Sequence, residues 1–200
     1  MRIPTLFLSG LAVVFPFTVV SPLHAADKEA PSAAASQSGA ERTARAAFRG
    51  PDKKVIGEAT LLQSNEGVLI QATFTKLPAG RHALHVHETG SCEAPEFKSA
   101  GGHFNPQNAK HGLTNPKGPH AGDMPNFTAS KNGDTAIEIY NDRVTLEQGA
   151  DNSLLKSGGT ALVVHAGGDD YRTDPAGDAG ERIACGVIEA TQPASAQAKK

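Results

Sequence analysis

Tryptophan is absent from the 200 residues, tyrosine and methionine occur twice each, and charge of neither sign predominates. The 19 Lys plus Arg against 21 Asp plus Glu leave a formal net charge of -2, which argues against nucleic acid or an anionic membrane surface as a bulk electrostatic partner. Only one long apolar stretch exists, at the extreme N-terminus, so the chain does not read as an integral membrane protein. No window carries the apolar stripe of a good amphipathic helix, which sets a helical bundle aside. What the sequence has instead is 21 Gly and 13 Pro, the mark of many turns and short elements. It also has eight His, most of them crowded between His82 and His120.

Residues 1–26 read as a secretory signal. Arg2 supplies a minimal positive n-region, Leu6 to Val20 the apolar h-region, and Ala25 and Ala26 a small-residue cleavage site. The mature protein is therefore expected to be exported and to have no stable association with the membrane. Residues 27–47 are Ala/Ser-rich and lack large apolar side chains, so they read as a flexible linker that cannot offset its own ordering entropy. Residues 191–200 read the same way, as a C-terminal tail, which leaves a folded domain over 48–190. Cys92 and Cys185 are an even pair in an exported chain and are expected to form a disulfide. Closing so long a loop would contribute about 4 to 5 kcal/mol in the chain-entropy treatment.

Within the domain the apolar pattern has period two. It predicts strands over 55–62, 68–74, 81–88, 136–140, 144–147, 160–165 and 183–190, separated by turns such as Ser64-Asn65-Glu66-Gly67. Seven or eight short strands with Gly-rich turns imply an all-β antiparallel sandwich or barrel. Two segments, 89–128 and 166–181, resist assignment. Loops this long inside a compact domain are usually functional or disordered, and these hold most of the potential metal ligands.

On a strand, side chains at i and i+2 share a face, so His85 and His87 can grip one ion, and His165 at the end of another strand can approach it. His103, His111, His120 and Asp123 lie in the first loop, free to wrap a second ion. Three His and one Asp make a sensible tetrahedral zinc set, whereas an all-imidazole set suits copper, which cycles between two oxidation states. His82 falls on the opposite strand face from His85 and reads as a buried hydrogen-bonding residue. A zinc hydrolase and a non-enzymatic copper- or zinc-binding or chaperone protein are the competing readings. The tripeptide Asn126-Phe127-Thr128 matches a glycosylation sequon and reads as coincidence.

The strings HALHVHETGSC, AGGHFNP, KHG, PHAGDMPN, ALVVHAGGDD and AGERIACGVIEA resemble, in order and spacing, the copper–zinc superoxide dismutases. The resemblance covers nearly all of 53–190. It implies a Greek-key antiparallel β-sandwich, a flattened eight-stranded barrel with two long functional loops. It also implies one copper and one zinc per subunit and superoxide as substrate. Copper would be bound by His85, His87, His103 and His165, and zinc by His103, His111, His120 and Asp123, with the His103 ring bridging the two. Asp169 is where the family places a carboxylate linking one copper His to one zinc His, with Asp170 as its competitor, and Arg182 matches the anion-docking arginine. Ala83-Leu84 and Gly101-Gly102 depart from the family's Gly-Phe and Gly-Pro. With the signal-like N-terminus they resemble the bacterial periplasmic branch, in which a homodimer is one possible state.

Overall fold

In a computed structural model of the chain, residues 42–191 are described, and they build an antiparallel β structure. Its strands are β1 (Thr43–Arg49), β2 (Val55–Gln63), β3 (Val68–Phe74), β4 (Gly80–His82), β5 (Leu84–His87), β6 (Phe127–Ala129), β7 (Thr135–Asn141), β8 (Ala161–His165), β9 (Arg182–Val187) and β10 (Glu189–Ala190). Helix among the described residues is limited to one 3-10 turn, Lys98–Ala100. The strands run β5-β8-β9-β1-β2-β3-β7 in one curled sheet, with β10 also on β1, while β4 pairs with β6 apart from it. No helix among the described residues is long and apolar enough to cross a membrane.

Register explains the core. Ala44, Leu61, Ile70 and Ile139 lie side by side across β1, β2, β3 and β7, and Ala46, Ala59, Ala72 and Ile137 form the next row on the same face. These residues close on Leu84, Val86, Leu162 and Val164 from β5 and β8. Each fully buried Leu or Ile contributes about 1.5 to 3 kcal/mol of transfer free energy. A second, smaller apolar cluster lies on the other face of β8, where Ala161, Val163 and Cys185 pack against Phe97 and Ala100.

β8 is thus buried on both sides, by the barrel core and by the Cys92 loop. The Cys92–Cys185 disulfide fastens that loop to β9, with a Cα–Cα distance of 5.6 Å.

Three features differ from the sequence reading. The described part of 27–47 is not linker: β1 begins at Thr43, with Ala44, Ala46 and Phe48 buried, so the domain starts before residue 48. Its core positions before Phe48 are both alanine, which gives a weak periodic signal. The segment 144–147 is not a strand; Val144 and Leu146 are buried, but pairing is limited to one bridge between Thr145 and Ser153. The strand expected over 81–88 is broken at Ala83, whose N–H donates to Gly167 and whose carbonyl accepts from His165, tying the second loop to the β4–β5 junction. The signal at 1–26, the linker up to residue 41 and the tail beyond 191 lie outside the described residues.

Candidate metal centre

β5 and β8 pair with His85 opposite Val163 and His87 opposite Ala161, so Leu84 and Val86 face the core and both histidines face outward. His165, two residues beyond Val163, emerges on that same outer face. The Cys92 loop then turns back over it, and His103 meets His87 in an isolated antiparallel bridge. Ring centroids lie 4.1 Å apart for His85 and His103, 5.0 Å for His87 and His103, and 5.0 Å for His85 and His165.

One nitrogen of each ring is tied down: His87 Nδ1 donates to Gly101 O at 3.0 Å and His165 Nδ1 to Gly180 O at 3.2 Å. The remaining atoms, His85 Nδ1, His87 Nε2, His103 Nε2 and His165 Nε2, are buried without a hydrogen-bond partner. Each such atom costs about 1 to 3 kcal/mol if left unsatisfied. Four of them within 4.8 Å of one another are the arrangement expected of ligands to one cation.

The second cluster is organised by Asp123. Its Oδ2 accepts the backbone N–H of Gly112 at 2.8 Å and of His120 at 3.0 Å, which wraps the loop around the carboxylate. Its Oδ1 lies 2.9 Å from His103 Nδ1, 3.0 Å from His111 Nδ1 and 3.3 Å from His120 Nδ1, while His120 Nδ1 and His103 Nδ1 are 3.5 Å apart. Ligands about 2.0 to 2.1 Å from a tetrahedral zinc ion are separated by about 3.3 Å, so these four atoms fit the corners of such a site. With four protein donors there is no open position for activating water, which removes the support for a zinc hydrolase. His103 belongs to both clusters, Nδ1 in one and Nε2 in the other.

Asp169 joins the clusters a second time: Oδ2 lies 2.9 Å from His85 Nε2 and Oδ1 lies 3.0 Å from His111 Nε2. It is buried, whereas its competitor Asp170 is exposed and caps the turn at Arg172 and Thr173. The sequence reading missed Asn126, whose side chain grips Asp169 from both ends, Nδ2 donating to its carbonyl and Oδ1 accepting its N–H, each at 2.8 Å. The sequon match concealed this, though its place just after Asp123 was a usable signal. His82 is buried and lies with Nδ1 2.8 Å from His165 O and Nε2 2.8 Å from Pro78 O, so its ring belongs to neither cluster and instead packs against the backbone of His165. Arg182 pairs with His165 across the β8–β9 bulge and donates to Phe97 O and Gly101 O, both at 2.7 Å. It lines a surface cavity with Lys98, Glu181 and Ile183.

The two clusters differ in electrostatics. Burial holds His87 well below 6.5 and lowers His103 to about 4 and His165 to about 3, so these rings are neutral, the state a metal ligand requires. Burial also opposes charge on His111, but the carboxylates of Asp123 and Asp169 outweigh it and raise that group to about 9. Hydrogen bonds from the surrounding rings overcome burial to keep Asp123 and Asp169 ionised. The acidic side of the site thus attracts positive charge.

Residues 55–188 match the family model described as copper/zinc superoxide dismutase (SODC). The chain is similar to superoxide dismutase (Cu-Zn) 1 of Aquifex aeolicus, 56% identical over 135 residues, covering 67% of this chain and 80% of that protein. Among solved structures it resembles a SOD-like protein from Bacillus subtilis, with 35% identity, a TM-score of 0.69, and coverage of 72% of this chain and 96% of the other. It also resembles Cu/Zn superoxide dismutase from Brucella abortus, with 30% identity, a TM-score of 0.60, and coverage of 74% and 99%.

Proposed function

The chain belongs to the copper/zinc superoxide dismutase family, and on that premise we propose a residue-by-residue assignment of its reaction, the conversion of superoxide to oxygen and hydrogen peroxide. His85, His87, His103 and His165 hold copper, and His103, His111, His120 and Asp123 hold zinc. The observation that carries the assignment is the set of four buried imidazole nitrogens that face one another without partners. Copper held by these four rings would supply one-electron redox chemistry.

The protein's own groups do the rest. Two superoxide anions repel each other, and meeting them one at a time removes that barrier. Arg182 fixes a positive charge at the rim; its guanidinium has five N–H donors, and those not engaged by Phe97 and Gly101 are free for the anion. Peroxide leaves with two protons, and Nε2 of His103 is placed to carry one of them. Nδ1 of that ring, held in the Asp123 cluster, keeps the ring oriented while Nε2 gains and loses the proton. Asp169 fixes the rings of His85 and His111 through their Nε2 atoms.

The signal-like N-terminus and the Cys92–Cys185 disulfide support export to the periplasm, where the role is antioxidant defence. The test is superoxide decay catalysed by the protein loaded with copper and zinc and freed of loose copper by a chelator. The expected result is fast decay that survives the chelator and vanishes when copper is withheld. Tight stoichiometric metal without turnover would make this a metal-binding protein on a dismutase scaffold.

A further inference from the structure

We propose that Asp174 is a positioning residue for zinc: it sets the backbone of His111 and so couples the 166–181 loop to the zinc ligands. The inference rests on the zinc assignment above. Oδ1 of Asp174 accepts the His111 backbone N–H at 2.8 Å, and Oδ2 accepts Nζ of Lys110 at 2.9 Å. The other polar atoms of His111 are also engaged. Its carbonyl accepts from Asn115 Nδ2 at 3.0 Å, and its Nε2 meets Asp169 Oδ1 at 3.0 Å. Nδ1 is left aimed at Asp123 Oδ1. The same two loops are stitched again at Thr114, whose N–H and hydroxyl both donate to Tyr171 O, at 3.1 and 2.9 Å.

Of these links, Asp174 supplies the one charged side chain of the second loop that reaches the backbone of a residue in the Asp123 cluster. The Lys110 ion pair is not the source of its effect. The Lys110 and Asp174 side chains are 57% and 36% exposed, and an exposed pair contributes little. The acceptor for the His111 N–H is what matters, because tilting this short segment moves Nδ1 away from the other three corners of the site. Groups that orient ligands in this way change metal affinity by about 10- to 100-fold when removed.

The experiment is competition for zinc between a calibrated chelator and the copper- and zinc-loaded protein, with copper affinity measured in parallel. Asp174→Ala should weaken zinc binding by about 10-fold or more and leave copper binding near the parent value, since Asp174 touches none of the four copper ligands. Asp174→Asn keeps an acceptor of the same reach and should restore most of the loss, and Lys110→Ala should stay close to the parent. Asp174→Glu keeps the charge but misplaces the oxygen, so it should bind zinc more weakly than Asp174→Asn even if the alanine variant does not fold. The reverse order would overturn the proposal, as would parental zinc affinity in Asp174→Ala. A parent protein that takes up no zinc would overturn the zinc assignment and this inference together.

Discussion

Gly177→Ala tests how tightly the second loop is built over the link between the two clusters. Gly177 has φ +66, and a Cβ there would overlap the Asp169 carboxylate, 2.5 Å from its Cγ and 2.6 Å from His111 Nε2. The glycine cannot retreat, because its N–H donates to Thr173 O at 2.6 Å and its carbonyl accepts from Asp170 N at 2.8 Å. Asp169 must therefore swing away and weaken its contacts to His85 and His111, both inside the buried site.

The left-handed backbone costs an alanine about 1 to 2 kcal/mol, and each displaced hydrogen bond to a buried charge about 1.5 to 3 kcal/mol. The expected loss is about 4 to 8 kcal/mol, read by urea unfolding of the metal-stripped protein. Gly158→Ala is the control: its φ is +82, but nothing lies within 4 Å of the added Cβ, so it carries the backbone cost alone. Equal destabilisation by the two substitutions would refute the packing argument.

Three further outcomes follow from the same geometry. Arg182→Glu should slow superoxide turnover and weaken or reverse its dependence on ionic strength in stopped-flow decay; an unchanged rate would remove the docking role. Phe48→Ala should cost about 3 to 5 kcal/mol in chemical unfolding, because Phe48 is fully buried and its ring centre lies 4.7 Å from that of Phe74; a loss under about 1 kcal/mol would detach β1 from the core. The stability of the metal-stripped protein should peak near pH 6.5, as measured by unfolding across pH. His103 and His165, lowered from 6.5 to about 4 and about 3, stay neutral as the unfolded chain protonates, so stability is lost as pH falls from 6.5 towards 3. His111, raised to about 9, adds stability that is present below 6.5 and lost as pH rises through 9. Stability that climbs steadily below pH 6 would contradict these assignments.

Sequence legibility followed the physics of each segment. β2, β3 and β7 announced themselves because their inward rows hold Leu61, Ile70 and Ile139, large apolar residues at period two. β1 did not, because alanines at 44 and 46 do the same work with almost no hydrophobic contrast. The spacing of His85, His87, His103, His111, His120, Asp123 and His165 was legible since strand alternation and loop position place them without knowledge of tertiary contacts. The family resemblance pointed to Asp169 and Arg182. Asn126, Asp174 and Gly177 were not legible, because their partners lie across the two loops, and no local pattern encodes which carbonyl or N–H a side chain will meet.

The central claim is that two metal sites share the His103 ring. Crystals of the loaded protein, with anomalous scattering recorded at the copper and zinc edges, test it most directly. The account predicts copper among His85, His87, His103 and His165, zinc among His103, His111, His120 and Asp123, and the His103 ring between the two peaks. A single ion, or a second ion that does not touch His103, would contradict it.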